Sequence, residues 1–321
     1  MKLASETAAP ARPDVSSGPL GLIARASSSE RQPPRISFEV FPPKTPDAAS
    51  SLWACIRRLE PLAPAFVSVT YGANGSTREP TRTTLNQLIT ETAIPAAAHL
   101  TCVGGSREDV DDIIRGYLEL GVRHIVALRG DPDGGVGGRY VADPKSYANA
   151  TELTSAIRRL GDFEISVACY PEKHPESPSL GHDIEVLKAK ADAGASRAIS
   201  QFFLDVDAFL RFADRARRAG VTIPIVPGIM PVTNFAGLAK MAAACGASVP
   251  NWLAHLFDGL DGDPETRRLI ACSVAAEMCA RLQSEGFNEF HIYTLNRPEL
   301  AYAVCRMLGL REELPAKELT Q

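Results

Sequence analysis

The sequence predicts an α/β protein built as a single TIM-type (β/α)8 barrel with a helical insertion before its last strand. Three observations carry this expectation, the first two being that eight short runs rich in β-branched or aromatic residues recur along the chain and that amphipathic segments of helical period separate them. The third is size. A chain of 321 residues with 45% hydrophobic composition suffices for one large core, and eight strand–helix units in about 280 residues fit a closed barrel better than an open sheet.

In chain order, residues 1–34 are rich in Ala, Ser and Pro without a sustained period, and are expected to be a disordered extension. A short docked helix around Leu20 to Ala26 is the alternative. The barrel is expected over residues 35–310, with a C-terminal tail at 311–321. Its strands are RISFEVF (35–41), FVSVT (66–70), AAAHLTC (96–102), HIVALRG (124–130), EISVACY (164–170), RAISQFF (197–203), IPIVPGI (223–229) and FHIYTL (290–295). Pro42 and Pro43 stop the first of them, because each fixes φ and removes a backbone donor.

Among the helices, Ser106 is placed to cap a segment whose Val110, Ile113, Ile114, Tyr117 and Leu118 fall on one face. The segment after Asp205 behaves likewise and stops at Gly220. The interval 232–289 is too long for one helix and is expected to hold two or three.

The balance of 34 basic and 38 acidic residues gives no electrostatic reason to expect nucleic acid or an anionic membrane as partner. The expected ligand is a small molecule. Cys55, Cys102, Cys169, Cys245, Cys272, Cys279 and Cys305 are dispersed without CxxC pairs, as in a reducing compartment. With no apolar run of bilayer length and no signal-peptide pattern, the expected location is the cytoplasm.

In a parallel barrel the functional residues stand at the C-terminal strand ends. These ends carry Glu39; Thr70; His99 with Thr101; Arg129 with Asp131; Tyr170 with His174; Gln201; and Tyr293 with Arg297. Glu39, in apolar company, is expected to have a raised pKa and to suit general-acid work. The plainer alternatives are a solvent-facing carboxylate or a pair with Arg35. The glycines Gly134 to Gly138 after ALRGD make a loop that either cradles a ligand or is only a flexible rim, and Tyr71 to Gly75 make another such loop. His124 and His291 stand at strand starts and are expected to be structural. HExxH and GxSxG are absent, so neither a catalytic metal nor covalent catalysis is expected.

SFEVFPPK, FVSVTYGANGSTRE, AHLTCVG, HIVALRGD, YPEKHPE, AISQFFLD, PGIMPVTNF and YTLNRPE, in this order, closely resemble the short, bacterial form of the methylenetetrahydrofolate reductase family over residues 35–310. The resemblance implies an FAD-dependent enzyme that passes hydride from NADH or NADPH to 5,10-methylenetetrahydrofolate, giving 5-methyltetrahydrofolate for methionine synthesis. It assigns Glu39 as general acid, Asp131 as an acid beside flavin and pterin, and Gln201, Tyr293 and Arg297 to the folate. To FAD it assigns Thr70, His99, Leu128, Arg129, Gly130, Asp131, Tyr147, Tyr170, His174, Asp183 and Lys190, and it implies a homo-oligomer. Val186, Ala189, Gly237 and Met241 depart from the family pattern and bear on cofactor affinity and the choice of nucleotide. The alternatives are a flavin-independent or oxidatively running reductase, and a non-catalytic folate-binding barrel.

Overall fold

The computed structural model describes residues 33–72, 78–131, 140–232 and 234–312. The expected helix at 20–26, the glycine loop at 134–138 and most of both termini lie outside these residues.

Strand β1 (Arg35–Val40) ends where Pro42 and Pro43 cannot donate to a neighbour. It pairs in parallel with β2 (Val67–Val69) on one side and with β9 (Glu289–Tyr293) on the other. The ring continues through β3 (Ala96–Thr101), β4 (His124–Leu128), β5 (Glu164–Cys169), β6 (Arg197–Ser200) and β7 (Ile225–Val226), every pair parallel. β8 (Gly228–Ile229) pairs with β9.

Nine strands are thus formed among the described residues, where the sequence predicts eight. The difference is one proline. Pro227 splits the predicted 223–229 strand: β7 pairs with β6, β8 pairs with β9, and the Pro227 carbonyl accepts from His291 N at 2.9 Å. One kinked strand therefore serves both edges and closes the barrel. Gly228 is needed at this turn, because a Cβ there would lie 2.2 Å from Ser200 O and 2.8 Å from the Tyr293 ring.

Helices α1 (Pro46–Leu59), α2 (Arg78–Glu91), α3 (Arg107–Leu120), α4 (Ala150–Leu160), α5 (Leu180–Asp192) and α6 (Val206–Arg218) connect successive strands. Ser106 caps α3 through a reciprocal box with Asp109, and Gly121 ends it in the left-handed conformation at φ 95°. The interval before the last strand holds α7 (Phe235–Cys245), α8 (Asn251–Phe257) and α9 (Pro264–Ser284), as its length requires. Helix α10 (Pro298–Met307) follows β9. Among the described residues no helix is long and apolar enough to cross a membrane.

The core has three parts. The largest lies between strands and helices, and a second lies under the α7–α9 insertion around Leu238, Leu253 and Phe257. The third fills the barrel interior with Phe66, Ala97, Val126 and Ile199. The floor of that interior is polar: His124 Nε2 lies 2.7 Å from Ser166 Oγ, and the Phe66 ring meets His124 edge-on at 4.3 Å.

Phe209 is fully buried, stacked on Phe203 at 4.6 Å and met by Phe287 at 5.1 Å. Phe209→Ala is expected to cost about 3–5 kcal/mol, read as a lower urea midpoint with an unchanged denaturant slope.

Candidate active site

Glu39 stands opposite Ser68 on β2 and Tyr293 on β9, with a side chain 15% exposed. The pairing with Arg35 considered from sequence does not form, because Arg35 bonds Glu289 at 2.7 Å. The carboxylate instead faces two imidazoles. His99 Nε2 lies 3.5 Å from Glu39 Oε2, and His291 Nε2 lies 3.9 Å from the same oxygen.

This geometry reverses one expectation. Burial does push the Glu39 carboxyl up, but His291 and His99 beside it outweigh burial and hold it below its ordinary value. Burial likewise pushes His99 down, against the pull of Glu39.

His291, expected to be structural, is buried and stacks on the Phe66 ring at 5.7 Å, and it also lies near Glu39. Its Nδ1 sits 2.8 Å from Ser37 Oγ, so a hydroxyl donating there leaves the ring proton on Nε2, the nitrogen nearer Glu39. The sequence did carry a signal for this: His291 and Tyr293 are two residues apart on one strand and therefore share a face. His124, by contrast, stays at the floor as expected, and burial and Arg197 push its pKa down to about 3.

Tyr293 donates its hydroxyl to Ser200 O at 2.8 Å, across the kinked strand, and its ring meets His291 edge-on at 5.3 Å. Next to it, the Gln201 side-chain oxygen accepts from Phe202 N at 2.9 Å. Burial pushes the Tyr170 phenol up to about 12, with Cys245 and Asp131 adding to it, while a hydrogen bond with Gln201 pulls it back. Tyr170 and Gln201 therefore form a neutral, hydrogen-bonded wall.

Beside it, at the end of the neighbouring β4, stands a paired cation. Gly130, at φ 87°, lets the chain turn sharply between Arg129 and Asp131, and a Cβ there would strike Val103 at 2.6 Å. Arg129 pairs with Glu176, which also accepts from Tyr140 N at 2.8 Å, and its guanidinium lies 4.4 Å over the Tyr140 ring. His174 N donates to Asp183 at 2.9 Å, and the His174 ring meets Tyr170 edge-on. Lys190 is buried and donates to Ala168 O at 2.6 Å, and burial pushes its pKa below the ordinary value.

Other candidates are placed less directly. Thr70 is half-buried just beyond β2, its N donating to Val40 O at 3.1 Å. Leu128 packs against the interior cluster. Tyr147 is turned into the main core, with its hydroxyl on Asp111 at 2.6 Å, so its ring is engaged away from the mouth. Arg297 is exposed at the start of α10. Val186, Ala189 and Met241 are exposed, and Gly237 is half-buried in the first turn of α7. Glu176 was visible in the YPEKHPES loop, but its partner Arg129 is 47 residues earlier and only the fold joins them. Among the described residues no group of three or more His, Cys, Asp or Glu side chains could hold a metal ion.

The family model described as methylenetetrahydrofolate reductase matches residues 25–309. A 5,10-methylenetetrahydrofolate reductase of Pectobacterium carotovorum is 50% identical over 281 residues, 87% of this chain and 91% of that protein. The 5,10-methylenetetrahydrofolate reductase of Escherichia coli K12 is 47% identical over 279 residues, 87% of this chain and 92% of its own length. Among solved structures, a Clostridium thermocellum protein that binds two copies of 5-methyl-5,6,7,8-tetrahydrofolic acid shares the fold. It has a TM-score of 0.59 at 14% identity, over 90% of this chain and 97% of that one.

The buried His124 makes acid sensitivity testable. Its folded pKa lies below its unfolded one, so the unfolded chain binds the extra proton and stability falls as pH drops from about 6.5 toward 3. His124→Gln is expected to flatten this part of the stability profile by up to about 1.4 kcal/mol per pH unit, measured by urea unfolding across that range.

Proposed function

The chain belongs to the methylenetetrahydrofolate reductase family, a family of oxidoreductases, and we propose that it reduces 5,10-methylenetetrahydrofolate to 5-methyltetrahydrofolate with FAD as resident cofactor and NADH or NADPH as donor. The observation that carries this reading is Glu39: a half-buried carboxylate at the barrel mouth, within 4 Å of two imidazole nitrogens, where an acid is useful and otherwise costly.

The strand ends around Glu39 fit a flat, anionic dinucleotide: Arg129 and Lys190 can meet its phosphates, Tyr170 and His174 supply ring edges, and among the described residues His99 Nε2 is buried without a hydrogen-bond partner. FAD held there would supply the two-electron, hydride-transfer chemistry.

The remaining work belongs to the chain. The exocyclic methylene accepts hydride only as an iminium, and the iminium forms when the leaving ring nitrogen is protonated. Glu39 supplies that proton. In the open mouth the imidazoles hold Glu39 ionised, whereas a bound pterin excludes water and raises the cost of the charge. The carboxyl takes up a proton from solvent as the pterin binds, and that protonated form donates. Asp131, beyond Gly130, steadies the developing positive charge. Gln201, its amide held by Phe202 N, orients the pterin, and Arg297 meets the glutamate tail.

Val186 and Ala189, exposed on α5 where the resemblance calls for a polar and a basic side chain, favour a second reading in which flavin is held weakly or not used. The visible spectrum separates the two. A flavin spectrum that bleaches with NADH or NADPH without oxygen and returns on adding methylenetetrahydrofolate supports the first. A colourless protein that ignores added FAD yet turns the folate over supports the second.

Glu39→Gln is expected to keep FAD and its reduction by the nucleotide but to slow flavin reoxidation by methylenetetrahydrofolate by about 10²–10⁴-fold, read by stopped-flow absorbance. Loss of FAD from a folded Glu39→Gln variant would remove the general-acid assignment.

A further inference from the structure

The rim beside Glu39 contains two successive non-glycine residues in the left-handed region, Leu295 at φ 51° and Asn296 at φ 56°. Asparagine tolerates this conformation, and leucine seldom adopts it. Such backbone persists where its surroundings over-determine it, and that condition is met here. Phe41 N donates to Asn296 Oδ1 at 2.8 Å, and Asn296 Nδ2 donates to Phe41 O at 2.9 Å. The Asn296 amide thus occupies both backbone groups of one residue, in the manner of a strand neighbour.

The reason lies in the sequence of β1. The ladder ends at Val40, and Pro42 and Pro43 bring no donors, so Phe41 has no strand beside it. Two residues inward the same two rims are joined again. Thr294 Oγ1 donates to Glu39 O at 2.6 Å, Thr294 N reaches the same oxygen at 3.3 Å, and Asn296 N donates to Thr294 Oγ1 at 3.1 Å. Arg297 N closes the turn on Thr294 O at 2.9 Å. Two large apolar side chains stand exposed at the clamp, Phe41 at 41% and Leu295 at 37%.

We propose that Asn296 is a positioning residue for the folate: its amide clamps the β9 rim onto the β1 rim, holding Phe41 and Leu295 as a fixed apolar lip and Arg297 in register with Glu39. The lip takes the flat aromatic ring that separates the pterin from the glutamate tail. The inference rests on the folate-reductase reading above. It assigns Asn296 no contact with substrate.

The test compares the FAD-loaded wild type with Asn296→Gly, which tolerates positive φ but lacks the amide, and Asn296→Asp, which keeps the acceptor for Phe41 N and loses the donor to Phe41 O. Calorimetry reads the Kd for 5-methyltetrahydrofolate, and stopped-flow absorbance reads flavin reduction by the nucleotide. The glycine variant is expected to raise the folate Kd, and the KM for methylenetetrahydrofolate, about tenfold while flavin reduction stays within about twofold, with the aspartate variant weakened similarly. A folate Kd unchanged in Asn296→Gly overturns the proposal. So does equal damage to both half-reactions with a lowered melting temperature, which marks a merely structural clamp. Wild type that neither binds the folate nor reoxidises its flavin with it overturns the reading beneath, and this inference with it.

Discussion

Eight parallel strands form a ring only if the seventh reaches both of its neighbours, and here that depends on the bend at Pro227. Before the proline the strand bonds β6, and after it the strand bonds β9, while the Pro227 carbonyl takes the amide of His291. Two side chains reinforce the bend. Ser200 Oγ accepts from Gly228 N at 2.8 Å, and Tyr293 reaches across to Ser200 O. An open sheet would leave β1 and β9 beside each other but remote from Gln201 and the β6 end. Closure brings Glu39, His99, His291, Tyr293 and Gln201 around one mouth.

Within that ring, the electrostatics follow from burial and from which charges share the space. A carboxylate in an apolar barrel would by itself favour its neutral form. Two imidazoles on β3 and β9 counter this, so Glu39 is held ionised by neighbours 60 and 252 residues away in sequence. Lower in the barrel, His124 has no carboxylate partner and remains neutral against Arg197. Three histidines in one interior thus play different parts, decided by what lies across the lumen.

The rim shows a different economy. Where regular strand pairing ends, single side chains replace it: Asn296 at Phe41, Thr294 at Glu39, and Glu176 between Arg129 and Tyr140. These contacts fix loops that would otherwise be set only by their ends, so the polar groups of the mouth are carried on a rigid frame.

By itself the sequence determined the class of fold, the strands to within a residue or three at their ends and an insertion of two or three helices. Each of these is written locally, in period-two and helical patterning, in caps such as Ser106 and in stops such as Pro42. Alternation along β1 also placed Glu39 on one face with Ser37, without deciding which way that face looks. It did not reveal the sign of the Glu39 shift, the partnership with His291, the withdrawal of Tyr147 onto Asp111, the split of the seventh strand or the Asn296 clamp. All of these join residues distant in sequence. Their free energies depend on distances across the barrel and on burial, quantities that exist only once the chain has closed on itself.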